Sequence, residues 1–195
     1  MRGQIIKNLL AASLEEQLKK KHIDSITVND IIADVGVSRT TFYRHFEDKF
    51  ALVNWVYGQY MDELMRRHES AADFRQLISE LLHFFQEKRS FFIKIINYVG
   101  QNSFYSYFFE RTTEYLMAQI TKVISMEDLT RSDQLMIRYH CGGILRVIYE
   151  WLENNCPESP EEIADILSDM ASGQHRMYSI PFFQDIRKPT RKRNK

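Results

Sequence analysis

Val35-Gly-Val-Ser-Arg-Thr-Thr-Phe-Tyr-Arg-His-Phe46 is the stretch of the chain that decides its fold. Gly36 is suited to end a helix, because glycine adopts the left-handed conformation of a tight C-cap at no steric cost. Ser38 is a good N-cap for the helix that follows. Phe42 and Phe46 are four residues apart, which predicts that one face of that helix is buried. Two short helices joined by a turn with a glycine predict a helix-turn-helix.

The segments on either side of this stretch are predicted to be helical as well. Leucines and isoleucines recur at every fourth position from Ile6 to Leu18, which is typical of an amphipathic helix. Thr27 and Asp30 form a capping-box pattern before the helix that ends at Gly36. Helices are predicted over about 3–22, 39–45, 48–69, 72–87, 89–99, 103–125, 131–154 and 160–172. With the helix between Thr27 and Gly36, this gives an all-α fold of about nine helices.

The composition supports a globular helical protein. The 195 residues are 44% hydrophobic and 27% charged, and only 7 Gly and 4 Pro interrupt the chain, which favours long helices over a sheet. No apolar run approaches the roughly 18 residues of a membrane span, and no signal peptide is recognised at the start. Two cysteines, Cys141 and Cys156, suit a reducing compartment. The expected location is the cytoplasm, without a membrane partner.

An enzyme is not expected from this sequence. It contains no glycine-rich phosphate loop, no paired-histidine zinc motif and no Cys-x-x-Cys pattern, and its six histidines are scattered. We therefore predict no catalytic residues, no metal site and no cofactor.

The second helix of the helix-turn-helix carries side chains suited to DNA. If Phe42 and Phe46 face inward, helical geometry turns Thr40, Tyr43 and Arg44 outward and leaves Arg39 in the exposed first turn. Arginine can bind guanine with two hydrogen bonds, and threonine can bind a base edge or contact a thymine methyl group. This helix is therefore the candidate recognition helix for the major groove.

Residues next to this helix are suited to the DNA backbone. Thr27 and Asn29 open the preceding helix, whose N-terminal amides can bind a phosphate. Lys49 begins the following long helix and could reach the backbone as a point charge. Tyrosine, histidine and threonine side chains also donate to phosphate oxygens.

Three motifs together resemble the N-terminal signature of TetR-family regulators. They are Ile26-Thr-Val-Asn-Asp-Ile31, Val35-Gly-Val-Ser38 and Thr41-Phe-Tyr-Arg-His-Phe-Glu-Asp-Lys49. The resemblance covers about residues 10–55 and is specific, because the motif residues fall at fixed offsets. One departure is His22, where many members have a glycine that ends the first helix.

The resemblance implies a dimer with three N-terminal DNA-binding helices, a linking fourth helix and a larger C-terminal domain for ligand and dimerisation. It also implies roles for individual residues. The implied phosphate contacts are Thr27, Thr41, Tyr43, His45 and Lys49. The candidates for base reading are Asn29, Arg39, Thr40 and Arg44. Ser38, the N-cap of the recognition helix, completes the predicted DNA-binding set.

The net charge of zero at first argues against a DNA-binding protein. However, residues 187–195 hold six basic and no acidic residues, which leaves 20 basic and 26 acidic residues in the rest of the chain. Residues 1–50 hold eight basic and seven acidic residues. Binding is therefore expected to depend on a few well-placed contacts in two half-sites. The basic tail either attracts phosphates or is an inert solvated end.

The C-terminal half is predicted to form the dimer through residues 131–172. The first helix of this region is apolar over more than one face, and Gly142-Gly143 inside it would suit a close helix crossing. A four-helix bundle between two subunits is the expected result.

Aromatic residues in the middle of the chain could line a pocket for a small-molecule effector or could form an ordinary core. The residues selected for the pocket are Tyr98, Tyr107, Phe108, Tyr115 and Tyr139.

These inferences give three regions and one function. Residues 1–47 are the DNA-binding domain, 48–173 the ligand-binding and dimerisation domain, and 174–195 a tail that is basic at its end. The predicted function is a sequence-specific regulator that binds a palindromic double-stranded operator as a homodimer. It is expected to be a repressor released by a small-molecule effector. The alternatives are an activator of the same fold, or a related protein that acts mainly through a protein partner.

Overall fold

A computed structural model describes residues 2–67, 73–96, 103–122 and 125–180, and these ranges are helical without a strand. Nine α-helices and three short 3-10 turns occur in them. The α-helices are α1 (Arg2–Lys20), α2 (Val28–Val35), α3 (Arg39–Tyr43), α4 (Lys49–Arg67), α5 (Phe74–Glu87), α6 (Arg89–Phe92), α7 (Phe104–Ile120), α8 (Arg131–Glu153) and α9 (Pro160–Ser172). The 3-10 turns are Ile23–Ser25, Met126–Asp128 and Arg176–Ser179. The all-α fold predicted from the sequence is confirmed.

Helices α1, α2 and α3 form a small N-terminal unit whose buried residues are continuous with the core of the rest of the chain. Leu10, Leu14 and Leu18 of α1 are buried, as their spacing predicts, and they join Ile31 of α2 and Phe42 of α3. α1 packs against α2, and α2 packs against α3. Burial of these apolar side chains holds the two short helices in place, since helices of this length are not stable in isolation.

Helix α4 connects this unit to the rest of the chain. Its buried residues recur three or four positions apart, at Val53, Tyr57, Met61 and Leu64 among others. α4 packs against α1 on one side and against α5 and α7 on the other. A shift in α4 would therefore be felt in both parts of the molecule.

The C-terminal helices pack mainly in two pairs, α5 with α9 and α7 with α8. An aromatic cluster fills the space between them and α4. The rings of Phe85 and Phe92 lie 4.6 Å apart, those of Tyr57 and Phe108 5.1 Å, and those of Tyr57 and Phe85 5.9 Å. These centroid distances are typical of favourable aromatic pairs. The cluster thus joins α4 to the core of the larger domain.

Two helices are shorter than the sequence predicts. The prediction for α6 extends over 89–99, but the helix ends at Phe92, and i→i−3 bonds such as Ile95 N–H to the Phe92 carbonyl (3.0 Å) continue the segment to residue 96. This tighter path still buries Phe91, Phe92 and Ile95. The prediction for α7 extends to 125, but the helix ends at Ile120, where the carbonyl of Met117 accepts from the hydroxyl of Thr121 as well as from its N–H.

Within the described ranges, no helix is long and apolar enough to cross a membrane. The same ranges contain no group of three or more His, Cys, Asp or Glu residues that could hold a metal ion.

Candidate functional site

The helix-turn-helix is built by the local caps that the sequence predicts. The Thr27 hydroxyl accepts from the Asp30 N–H (3.2 Å), and the Asp30 carboxylate accepts from the Thr27 N–H (2.7 Å), which is a complete capping box. Gly36 has a φ of 72° and ends α2 by donating to the Ile32 carbonyl at 2.9 Å. The Ser38 hydroxyl accepts from the Thr41 N–H at 3.1 Å and begins α3. Each of these helix ends is therefore fixed by a hydrogen bond to a residue three or four positions away in the sequence.

The outer face of α3 presents polar side chains to solvent. Arg39, Thr40, Tyr43 and Arg44 are exposed, and Phe42 is fully buried. The Arg39 guanidinium lies 5.9 Å from the centre of the Tyr43 ring and donates to the Tyr43 hydroxyl at 3.4 Å. This contact places the two side chains on one exposed face, as residues four apart on a helix should be.

The threonines predicted to bind phosphate already have partners within the chain. The Thr27 hydroxyl donates to the Asp30 carboxylate at 2.7 Å, which uses its only O–H. The hydroxyls of Ser38 and Thr41 lie 3.0 Å apart, so that one O–H of the pair remains for an outside acceptor. Asn29, in the first turn of α2, and Thr27, its N-cap, are both exposed.

Lys49 is half-buried against the segment between α1 and α2. Its ammonium donates to the carbonyls of Ile23 (2.5 Å), Ile26 (2.7 Å) and Asp24 (3.2 Å). An ammonium group has three N–H donors, and these contacts use all three. Burial lowers the pKa of Lys49, in keeping with its removal from water. The lysine predicted to reach a phosphate instead connects α4 to the segment between α1 and α2.

His45 is half-buried beside the start of α1 rather than on the outer face of α3. Its Cε1 lies 3.6 Å from the point that a Cβ on Gly3 would occupy, and its Nε2 is buried without a partner among the described residues. His45 lines an open groove with Lys7, Trp55 and Tyr107, between the N-terminal unit and α7.

The residues selected for a ligand pocket are not brought together. On α7, Phe108 is fully buried in the aromatic cluster, while Tyr107 projects toward the groove beside His45. Adjacent residues on a helix point about 100° apart, and here one side chain faces the core and the other the groove. Tyr115 lies inside the larger domain, and Tyr139 is 77% exposed on α8. Tyr98 lies outside the described residues. Among the described residues, the other four side chains do not line one common pocket.

An apolar cleft and a small apolar cavity adjoin each other in the larger domain. The cleft, of about 170 Å³, lies between α5, α7, α8 and α9 and opens to solvent beside the exposed Met136. The cavity, of about 20 Å³, lies between α4, α5, α7 and α8. Phe74, Leu116 and Ile144 line both, and the cavity also borders Thr112 and Tyr115.

Buried hydroxyl groups occur beside the inner cavity and in the aromatic cluster. Burial raises the pKa of Tyr57, Tyr115 and Tyr149, although a hydrogen bond with Thr112 opposes part of the shift at Tyr57. The hydroxyls of Tyr115 and Tyr149 have no partner among the described residues. An unpaired buried hydroxyl costs about 1–3 kcal/mol.

The outward faces of α8 and α9 are apolar over a large area. Met136 is 56% exposed, Tyr139 77% and Met170 39%. A groove of about 400 Å³ runs between the two helices and is lined mainly by apolar side chains. Gly143 is exposed in this groove, and nothing lies within 4 Å of the point where its Cβ would be. Packing within one chain gives no reason for a glycine here.

Two families match the two parts of the chain. Residues 9–56 match the bacterial regulatory proteins of the tetR family, and residues 73–173 match the C-terminal region of a transcriptional regulator family. The first match covers the helix-turn-helix, and the second begins with the Asp73 N-cap of α5 and ends at Gly173, the C-cap of α9.

Two relatives align with most of this chain. An uncharacterised helix-turn-helix regulator of Bacillus subtilis, YxbF, is 26% identical over 170 residues, which is 83% of this chain. The match covers only 43% of YxbF, so the chain spans less than half of that protein. DhaS of Lactococcus lactis, an activator of the dhaKLM operon, is 22% identical over 149 residues, 75% of this chain and 79% of DhaS.

Solved structures share the fold. The dihydroxyacetone kinase operon activator DhaS gives a TM-score of 0.62 at 18% identity, over 89% of this chain and 97% of that one. A TetR regulator from Streptococcus agalactiae gives 0.63 at 17% identity, over 87% and 94%. NalD, a repressor of an efflux pump in Pseudomonas aeruginosa, gives 0.56 at 16%, over 89% and 97%.

Proposed function

The chain belongs to the TetR family of bacterial transcriptional regulators, and from this premise we propose that it is a homodimeric repressor released from its operator by a small-molecule effector. The observation that carries the proposal is the outer face of α3. There Arg39 and Tyr43 are exposed together, while Phe42 anchors the helix from behind.

Arg39, Thr40 and Arg44 are the proposed base-reading side chains. All three are exposed on the helix that a helix-turn-helix places in the major groove. Tyr43 is 49% exposed, and its hydroxyl can donate to a phosphate. Asn29 and the free O–H of the Ser38–Thr41 pair lie at the N-termini of α2 and α3, which also suit phosphate oxygens.

Lys49 has a different proposed role. With its three N–H groups on carbonyls, it positions the start of α2 relative to α4 instead of contacting DNA. Thr27 supports the same helix end through its capping box. Both residues therefore act on DNA binding through the position of α2.

The dimer is proposed to form through α8 and α9. The exposed apolar face around Met136, Tyr139 and Met170 would be covered by the same face of a second chain, because a two-fold interface is self-complementary. Gly143 supports this arrangement, since a glycine costs about 1 kcal/mol in a helix and is unexplained within one chain. Such pairing would place two α3 helices about 34–36 Å apart, one turn of DNA.

A direct test of DNA binding uses the full-length protein and DNA that flanks its own gene. We expect specific binding with two chains per site, which Arg39→Ala weakens by about 1–3 kcal/mol. Arg131→Ala is a matched control, because Arg131 is exposed at the start of α8, outside the proposed interface with DNA. Equal affinity of the Arg39→Ala and Arg131→Ala proteins would contradict the proposal.

The proposed dimer surface is tested by placing a charged side chain within it. Tyr139→Glu is expected to yield monomers in analytical ultracentrifugation, because it would bury an unpaired carboxylate in the interface. Tyr105→Glu on α7 is the control, since Tyr105 is 43% exposed outside this surface. A Tyr139→Glu protein that remains dimeric would exclude α8 from the interface.

An activator is the second candidate, because DhaS, which shares sequence and fold with this chain, is named as one. In vitro transcription from a template with the bound site distinguishes the two. A repressor lowers the transcript when it is added, and an activator raises it.

A further inference from the structure

Tyr107 of α7 meets the backbone of α4 at Gly58, away from the outer face of α3. We propose that Tyr107 is a positioning residue for operator binding, whose hydroxyl group holds α4 at a fixed distance from α7 by resting on Gly58. The inference rests on the proposed DNA binding and names a contact that sets the position of α3 for it.

Gly58 is a buried glycine in the middle of a long helix, where a glycine costs about 1 kcal/mol relative to alanine. It is not one of the glycines with a positive φ, so conformational freedom does not account for it. A Cβ at this position would lie 2.6 Å from the hydroxyl oxygen of Tyr107 and 3.7 Å from its Cζ. In the described part of the chain, no atom of any other residue outside α4 would lie within 4 Å of that Cβ. The glycine therefore makes room for a single hydroxyl group.

The Tyr107 side chain is held in this place by its surroundings. It is half-buried, and its ring packs edge-on against the ring of Tyr57 of α4, with the centroids 6.1 Å apart and the planes at 82°. Four residues further along both helices, Arg111 of α7 forms an ion pair with Asp62 of α4 at 2.5 Å. The hydroxyl on Gly58 is thus one of a line of contacts that fix α4 against α7.

The same side chain borders the N-terminal unit. Tyr107 lines the open groove with His45 and Trp55, and every other lining residue belongs to the N-terminal unit, the turn after α3 or the first two turns of α4. Gly58 lies nine residues after Lys49, which is about 14 Å along the helix at 1.5 Å per residue. Because α4 is one continuous helix, a displacement at Gly58 also moves its start, and with it α3.

The distances at Gly58 predict how substitutions should combine. A methyl group added at Gly58 would have to move about 1 Å away from the hydroxyl oxygen, because non-bonded atoms settle at about 3.5 Å or more. Whether Tyr107 turns away or the helices separate, the contact is lost. Tyr107→Phe instead leaves a gap where the oxygen was. When the two changes are combined, the methyl group fills that gap at 3.7 Å from the ring carbon, so the helix separation should be restored.

The test measures the affinity of the full-length protein for the operator and for an isolated half-site by fluorescence anisotropy. Gly58→Ala should weaken operator binding about tenfold and Tyr107→Phe about threefold, because the two α3 helices no longer fit both half-sites. The double variant should bind within about twofold of the unaltered protein. Half-site binding should stay unchanged in all three variants, since the outer face of each α3 is intact.

Gly142→Ala is the matched control for the glycine. Gly142 also lies in a helix, and a Cβ there would meet Phe109 of α7 at 3.9 Å, which is ordinary contact. Tyr105→Phe is the control for the hydroxyl, because it removes an exposed one from the same helix. Both control variants should bind the operator as the unaltered protein does.

The inference is overturned if Gly58→Ala binds the operator as tightly as Gly142→Ala does, if the double variant binds no more tightly than Gly58→Ala, or if half-site binding falls in parallel. Should Gly58→Ala fail to fold, equal operator affinities of Tyr107→Phe and the unaltered protein overturn it. Failure of the unaltered protein to bind the operator would contradict the proposed function, whereas operator binding that no variant changes would contradict this inference alone.

Discussion

The N-terminal unit and the larger domain differ in what fixes the position of their important side chains. In the N-terminal unit, the caps Thr27, Gly36 and Ser38 act within four residues of themselves and set the outer face of α3. In the larger domain, Tyr57 of α4 packs on Phe85 of α5 and Phe108 of α7, and every contact is distant in sequence. The ends of α3 are thus fixed by local caps, and the aromatic cluster is fixed by tertiary packing.

Because the two regions are fixed in different ways, a rearrangement of the aromatic cluster could move α3 and leave its exposed face intact. α4 belongs to both regions, since its Tyr57 is in the aromatic cluster and its Lys49 binds carbonyls of the segment between α1 and α2. A ligand that repacks the cluster would move α4 and with it the spacing of two intact recognition helices. Such a ligand acts only if it binds one arrangement more tightly than the other.

The largest expected effect is loss of an aromatic ring from the cluster. Phe108→Ala should lower the free energy of unfolding by about 3–5 kcal/mol, because Phe108 is fully buried and leaves a cavity. Chemical denaturation measures the change. Tyr105→Ala, on the same helix but exposed, should change it by less than about 1 kcal/mol. Similar losses in the two variants would show that the cluster does not hold this domain together.

Loss of a helix cap should be smaller and should separate the two regions. Ser38→Ala and Ser159→Ala each remove a side-chain cap and should each cost about 1 kcal/mol. DNA affinity should fall only for Ser38→Ala, because Ser38 caps α3 and Ser159 caps α9. Thermal unfolding and a DNA-binding titration of both variants test this. Equal affinities would break the proposed link between the cap and the recognition face.

Features fixed by contacts close in sequence could be predicted from the sequence, and features fixed by distant contacts could not. The helix-turn-helix followed from Gly36, Ser38 and the Phe42–Phe46 spacing, since each residue acts on its neighbours. The carbonyl partners of Lys49 and the exposure of Tyr139 did not follow. Lys49 meets carbonyls more than twenty residues away, and Tyr139 faces outward because α7 covers the opposite side of α8. Such contacts exist only after the helices have packed.

A Lys49 variant tests whether this residue acts on DNA binding through its contacts within the chain or by contacting a phosphate. Lys49→Met should lower DNA affinity because the start of α2 loses its anchor, yet the dependence of log K on log salt should keep its slope. Removal of a lysine that neutralises a phosphate would instead make the slope shallower by about 0.9 for each phosphate left without its cation. Titrations at several salt concentrations distinguish the two. A shallower slope for Lys49→Met would return this residue to the DNA backbone.

The smallest expected effect is on the stability of the folded protein at acidic pH. Hydrogen bonds from the backbone and side chain of Thr27 lower the pKa of Asp30 from 3.8 to about 2. A depressed carboxyl pKa stabilises the folded state above pH 4, and this contribution disappears as the pH falls from about 4 to 2. The stability difference between the unaltered protein and Asp30→Asn should therefore shrink over that range. A difference that is constant with pH would show that the ionised carboxylate adds nothing to the cap.

Arg39 on the outer face of α3 is proposed to read a base in the operator. Its most direct test replaces guanines in each half-site, one position at a time, by 7-deazaguanine, which lacks the N7 acceptor that arginine uses. At one position the substitution should weaken the unaltered protein by about tenfold and leave Arg39→Ala no weaker than before. If at every position the two losses simply add, Arg39 does not read that acceptor, and the account of the recognition helix is contradicted.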